Sequence, residues 1–412
     1  MTDMFDSRGC LATPLIDTNE MWRDLGAFYR QLLSEDLLPW WLEHGLDRES
    51  GGICSCIQDD GTIVNRDKFV WSQLRALWTF AGACNRVGDQ PDWHEAADHM
   101  FRFISGNNQQ HASGRWNFLT SCDGEVKKGL ESIQCDAFAI CGLAEYYRLT
   151  GEESARTMGL RTANAVLEAL AVPGSYGTEP YPIPEGTKAQ RVAMQHSLAL
   201  AEAGKAFNDD ALLAESRKLT DDILGNFRIP ERQAILEYVA LDNSLLPAPI
   251  GTYMGPGHGI ETAWFQIENL RGTDIENLPE ILDIMRWSFE KGWDTEYDGL
   301  FLGIDIDGGE PLFEHSEKKI WWPHCEALCG TLLAYEVSGE QWCLDWYTKS
   351  HNYAFDKFPD REHGEWTQRL DRKGNRHADY IILPVKDPFH LPRTAIYAVE
   401  ICQRLASRTT SP

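Results

Sequence analysis

The chain has 412 residues, 43% of them hydrophobic and 25% charged, which is enough to bury a large core and excludes a disordered, collagenous or small disulfide-framed protein. Its 38 Lys and Arg against 63 Asp and Glu give a net charge of −25, a surface that repels phosphate polymers, so neither nucleic acid nor an anionic membrane is an expected partner. No uninterrupted apolar run reaches about 18 residues, no secretory leader is visible in the start MTDMFDSRGC, and eleven scattered cysteines without a Cys-x-x-Cys pair fit reduced thiols in a cytoplasm.

Residues 1–18 are expected to form a loosely ordered N-terminal segment. Trp22, Leu25, Phe28, Tyr29 and Leu32 then fall on one helical stripe and predict a helix over 20–43. The same reading predicts helices over 71–87, 91–106, 134–150, 152–171, 188–207, 210–226, 258–272, 276–291, 323–338, 340–357 and 391–406. Tight turns join several successive pairs: Val87-Gly88-Asp89-Gln90-Pro91, Thr150-Gly151-Glu152 and Ser338-Gly339-Glu340. Connections that short favour antiparallel helical hairpins. No Pro/Ser-rich linker divides the chain, so residues 1–412 are expected to form one domain.

An internal repeat interrupts the helices. Asp47-Arg-Glu49-Ser-Gly51-Gly52 recurs as Asp294-Thr-Glu296-Tyr-Asp298-Gly299 and as Asp360-Arg-Glu362-His-Gly364-Glu365. An Asp60-Gly61, Asp307-Gly308 or Lys373-Gly374 turn follows each one, predicting a β-hairpin. A lysine with an aromatic three residues later comes next: Lys68 and Trp71, Lys319 and Trp322, Lys386 and Phe389. A related hairpin is predicted near Trp116–Gly124. Helix, hairpin insert, helix is therefore the unit. The expected fold class is all-α, an (α/α)6 barrel of about twelve helices with short β-hairpins at one mouth. An open α-solenoid is the alternative. Closure is favoured because polar and aromatic motifs recur at the starts of alternate helices, where a shared pocket would be built.

Four clusters sit at such helix starts: Trp71-Ser-Gln73-Leu-Arg75, Pro256-Gly-His258-Gly-Ile-Glu261, Trp322-Pro-His324-Cys-Glu326 and Phe389-His390-Leu-Pro-Arg393. Glu261 shares a face with His258, and Glu326 with Trp322. The positive end of a helix favours neutral imidazole, a competent general base near pH 7. Arg75 is suited to holding hydroxyls or a developing oxyanion. The plain alternatives are a capping histidine, an acidic residue complementing the helix dipole, and core tryptophans. His196 either lines the pocket or is a core histidine. No second histidine completes a metal face with His258 and Glu261, so no metal is expected. P-loop and Gly-x-Ser-x-Gly signatures are absent.

These motifs, with Gly292-Trp-Asp294 and Trp264, resemble those of the N-acylglucosamine 2-epimerase family over nearly the whole chain, from about Trp22 to Leu405. The string Trp321-Trp322-Pro323-His324 looks most like the N-acylglucosamine epimerases, whose relatives include cellobiose 2-epimerases and mannose isomerases. The resemblance implies an (α/α)6 barrel and metal-independent proton transfer at C2 of a ring-opened sugar. It puts the catalytic pair on His258 and His390. Arg75 would stabilise the enediolate, Glu261 and Glu326 would orient the sugar and the histidines, and Trp322 and His324 would line the pocket. No cofactor is required, with ATP a non-consumed effector in animal members. Dimers are common in the family, so a homodimer is also implied. Near His196 the spacing departs from that of the cellobiose epimerases. Three functions remain in view: a sugar 2-epimerase or the related aldose–ketose isomerase, a glycoside hydrolase using Glu261 and Glu326, and a non-catalytic binding protein.

Overall fold

A computed structural model describes residues 4–106, 109–172, 174–272, 275–376 and 385–408. All twelve expected helices are present, with ends shifted by a few residues. The outer set is α1 (Asn19–Gln31), α3 (Pro91–Gly106), α5 (Glu153–Leu170), α7 (Asp210–Asp222), α9 (Leu278–Gly292) and α11 (Gln341–Lys357). The inner set is α2 (Val70–Arg86), α4 (Ile133–Thr150), α6 (Gln190–Phe207), α8 (Pro256–Leu270), α10 (Trp321–Ser338) and α12 (His390–Ala406). Each inner helix packs against the next, and α12 returns to α2, so the ring is closed. The outer helices α3, α5, α7, α9 and α11 each back the inner helix that precedes them, and α1 backs α12. This is the (α/α)6 barrel, and the open solenoid is ruled out by the contact of α12 with α2.

The two rings differ in sequence for a physical reason. An outer helix has one covered face: α1 buries Trp22, Leu25 and Tyr29 while Arg23 and Asp24 stay at or near the surface. An inner helix is covered all round, and α10 accordingly reads WWPHCEALCGTLLAYEVS with almost no solvated face. Gly151 and Gly339, at φ +70° and +69°, end α4 and α10 in the left-handed conformation, giving the tight turns expected there. After α1 the helix runs on through π-helical turns at Leu32–Leu37 and Trp41–Gly45 on either side of Leu38–Trp40. Pro39 lies between them; proline has no N–H and crowds the carbonyl four residues back, and widened turns relieve both.

The repeat is a buried ion-pair device. Asp47, Asp294 and Asp360 each accept two backbone N–H bonds within their own turn, from Glu49 and Ser50, Glu296 and Tyr297, and Glu362 and His363. The outer oxygen of Asp47 receives the fully buried Lys68 at 2.7 Å, and that of Asp294 receives Lys319 at 3.1 Å. In the third copy Lys386 pairs with Glu365 at 2.7 Å, while Asp360 binds Arg376 at 3.1 Å. Each lysine ends the insert just before an inner helix and pins that helix start to the turn.

Hairpins form as expected at Cys56–Ile57 with Ile63–Asn65, and at Leu119–Thr120 with Val126–Lys128. The third repeat also closes its turn as expected, with Leu370 bridging Arg376, but the strands of the second and third repeats pair beyond their own turns. Ile304–Asp305 pairs with Tyr253–Met254, and Arg369–Leu370 with Lys319–Ile320, so these strands join neighbouring inserts. Lys68–Phe69 likewise pairs with Leu119–Thr120, Thr187–Ala189 with Tyr238–Ala240, and Ser132 bridges Thr178. Lys386 donates its N–H to Ser55 at 2.8 Å, linking the last insert to the first. The inserts therefore form a collar around one mouth, at the N-terminal ends of the inner helices.

The N-terminal segment is a correction: residues 4–18 are held rather than loose. Phe5 stacks on Phe28 at 4.2 Å, Gly9 accepts a bond from His351 Nε2 at 2.8 Å, and Cys10, Leu11 and Leu15 are buried. Residues 1–3 lie outside the described residues. All eleven cysteines are free thiols, ten of them buried. Among the described residues no helix is long and apolar enough to cross a membrane.

Candidate active site

Each inner helix contributes a side chain from its first turn to one cavity of about 420 Å³ under the collar: Trp71, Gln134, Arg191, His258, Trp322 and His390. The helix starts converge there because each inner helix follows an insert in the same direction. Aromatic rings wall the cavity, and the N-terminal ends of the inner helices, which favour negative charge, face its floor.

The rings of His258 and His390 both lie against Trp322. The His258 ring is 5.1 Å from the Trp322 ring at 29°, and the His390 ring 5.8 Å away at 38°. Gly257 permits this: a Cβ there would come within 2.7 Å of the Trp322 ring and 2.8 Å of Pro323. Each histidine has a carboxylate behind it. His258 Nδ1 is 2.9 Å from Glu237 Oε2, and His390 Nδ1 is 2.7 Å from Glu326 Oε1. A carboxylate accepts, so each neutral ring carries its proton on Nδ1 and has its lone pair on Nε2. Among the described residues neither Nε2 has a hydrogen-bond partner.

The carboxylates are anchored in turn. Glu326 accepts from Trp264 Nε1 at 2.9 Å and from Arg393 Nη2 at 2.7 Å; the same Nη2 reaches Glu261 Oε1 at 2.8 Å. Burial pushes Glu326 above the ordinary carboxylate value despite Arg393. Burial, reinforced by the Arg75 and Arg393 guanidiniums, holds His390 well below the ordinary histidine value. Glu237 stays below the ordinary carboxylate value: burial pushes it up, but His258 and Arg191 outweigh that. Glu261, Glu326 and His390 bring ligand atoms within 4.8 Å of one another, a spacing that a divalent cation can bridge. Here the positive charge between the carboxylates is Arg393.

Arg75 lies over Phe138 at 4.1 Å and donates to Asp387 Oδ2 at 3.0 Å, which aims it into the cavity beside His390. Trp322 and Glu261 line the cavity, and Glu326 lies behind His390, against its Nδ1. His324 does not line the cavity. It is fully buried, Nδ1 donates to Ile320 O at 2.8 Å, Nε2 accepts from Leu300 N at 3.0 Å, and its ring stacks on Tyr353 at 5.0 Å. Burial takes it down to about 3. Its position is set by helical phase: two residues past Trp322, it points away from the barrel axis. His196 is likewise a core histidine, bonded through Nδ1 to Val192 O at 2.8 Å and taken down to about 4 by burial. Gln73 braces the first insert through both its amide atoms on Ile53.

The sequence reading missed Glu237 and Arg191, and gave Arg393 no task. Glu237 had one visible signal, a lone acid in the apolar run Ala234-Ile-Leu-Glu-Tyr-Val-Ala240. Arg191 and Glu237 join only through the fold, at 2.8 Å across 46 positions.

Comparison with known proteins bears on the same residues. A model described as N-acylglucosamine 2-epimerase (GlcNAc 2-epimerase) matches residues 51–391, a span holding every side chain of the two histidine–carboxylate pairs. The chain belongs to that family. The N-acylglucosamine 2-epimerase of Bos taurus is 28% identical to this family member over 402 residues, covering 95% of this chain and 94% of its own. The cellobiose 2-epimerase of Ruminococcus albus is 23% identical, covering 90% and 97%. The solved cellobiose 2-epimerase of Spirochaeta thermophila superposes with a TM-score of 0.79 at 21% identity, covering 93% and 98%, and shares the barrel.

Proposed function

We propose that the protein is a sugar C2 epimerase acting on an N-acylated glucosamine and its manno epimer. The observation that carries this is the pair of imidazoles in one cavity, each with Nδ1 on a buried carboxylate and Nε2 free. On a ring-opened sugar, one Nε2 takes the C2 proton. The C–H pair moves into the C1–C2 bond and the carbonyl oxygen at C1 becomes an enolate oxygen, with the Arg75 guanidinium at hand to offset its charge. The second histidine gives a proton to the opposite face of C2, and the carbonyl re-forms. The bovine relative, at 28% identity over nearly its full length, supports the N-acylated substrate.

Proton return at C1 in the same cavity would make a ketose, the second reading. Hydrolysis fits poorly: it needs two carboxylates about 5–9.5 Å apart across the scissile bond, whereas Glu261 and Glu326 meet at one guanidinium nitrogen. A pure binding protein has no use for two carboxylate-backed imidazoles. In this reading turnover needs neither metal nor consumed nucleotide, with ATP acting only as an effector. The eleven unpaired thiols support a cytoplasmic setting, and a homodimer is the proposed assembly. The test is product analysis of purified protein with N-acetylglucosamine, N-acetylmannosamine, mannose, glucose and cellobiose in turn. Interconversion of the first two is expected; a ketose from mannose or glucose with no N-acetyl product would move the assignment to the isomerase.

A further inference from the structure

Glu237 lies in an insert, outside every motif that marks the site, and its side chain is almost wholly buried. A carboxylate there is costly unless both its oxygens are met. Both are met: Arg191 donates from Nη1 to Oε1 at 2.8 Å, and His258 Nδ1 is 2.9 Å from Oε2. Arg191 is itself held by the Tyr238 hydroxyl at 3.1 Å and the Tyr181 carbonyl at 2.6 Å. The anion behind His258 is therefore fixed in place, and Arg191 binds only its far oxygen.

His390 is placed differently. Its carboxylate shares one oxygen, Oε1, between the imidazole and Arg393. Arg75 and Arg393 both disfavour a charge on the ring. The side chain of His258 is 25% exposed and that of His390 9%, so His258 is the one with a path to solvent protons. An anchored anion favours imidazolium, whereas guanidiniums beside a dry ring favour the neutral form. The cavity's other charged groups, Arg75, Glu261, Glu314, Arg369 and Asp387, carry both signs. Among the described residues only Glu237 hydrogen-bonds the His258 ring.

Resting on the epimerase reading above, we propose that Glu237 is the positioning residue that makes the two histidines unequal, holding His258 as the proton carrier while His390 waits as the base. His390 Nε2 takes the C2 proton, the C–H pair forms the C1–C2 enolate, and His258 Nε2 delivers its own proton to the opposite face. The histidines end with their charges exchanged, and solvent resets them through the open edge of His258. The other epimer reacts from the exchanged state. The equilibrium fixes the ratio of the two kcat/KM values, so a change at Glu237 lowers both by one factor.

The test pairs ring-nitrogen NMR of 15N-histidine-labelled protein at pH 7 with turnover of N-acetylglucosamine. In the parent, His258 is expected to show two protonated nitrogens and His390 one. Glu237→Gln should leave His258 neutral and lower kcat by roughly 10²–10⁴-fold, with KM within about threefold; Glu237→Asp should recover part of the rate. A neutral His258 in the parent, or E237Q turnover within about threefold of the parent, overturns the proposal. If E237Q fails to fold, the parent spectrum alone decides. A parent that turns over no sugar sinks the epimerase reading, while the spectrum still tests Glu237.

Discussion

In the proposed mechanism the chemistry rests on His258 and His390, and each would lose its part with its ring. His258→Asn and His390→Asn should each lower epimerisation by at least about 10²-fold with the circular dichroism spectrum unchanged. His324→Gln should do the reverse. It removes two buried hydrogen bonds and should cost about 1–3 kcal/mol in a denaturant melt, while turnover per folded molecule stays near that of the parent. The low proton affinity of His390 adds a pH expectation. A depressed value keeps the ring neutral as pH falls, so loss of the base should not limit kcat/KM between pH 7 and pH 5.5. A fall centred on the ordinary histidine value of about 6.5 in His390-dependent C2–H exchange would contradict this. His258, Glu261, Glu326 and Arg75 were legible because they open helices within repeated motifs. His324 misled because motif membership does not state helical phase. Glu237 was hidden because its partner His258 lies 21 positions away across a turn of the collar.

Among the elements, the insert turns carry more than their length suggests. Lys68 and Asp47 are both fully or nearly fully buried, so Asp47→Asn leaves an ammonium without its counter-ion and should cost about 3–5 kcal/mol. The same aspartates give the barrel an acid-sensitive collar. Burial alone would push them up, but Lys68 and backbone N–H groups hold Asp47 at about 2, and Arg376, His363 and a backbone N–H group hold Asp360 at about 2. Folded values below the unfolded value of about 3.9 mean stabilisation that is complete above that pH and lost as pH falls toward 2. Thermal melts should therefore drop between pH 4 and pH 2, and D47N should flatten that drop. The repeat itself was legible from Asp, Gly and Lys spacing. Its pairing was not: strands of two or three residues carry too little pattern to choose a partner, and the choice is made by where the inner helices bring the inserts together.

For the whole molecule, closure of the barrel makes the site. The ring brings Arg75 of α2 within 3.0 Å of Asp387, 312 positions along the chain, and puts Glu261 and Glu326 of neighbouring helices on one guanidinium from α12. Helix count and short turns made the barrel readable, since period and punctuation are local signals. The cavity they enclose is a long-range product that no single stretch encodes. With the Arg393 guanidinium filling the space between those carboxylates, turnover should be unchanged by EDTA, measured against untreated protein. The most direct measurement is proton NMR of N-acetylglucosamine with the purified protein in D2O. Two-histidine proton transfer requires the N-acetylmannosamine signals to grow with deuterium at C2. Growth of that epimer with its C2 proton retained, or no loss of the C2 signal from either epimer, would contradict it.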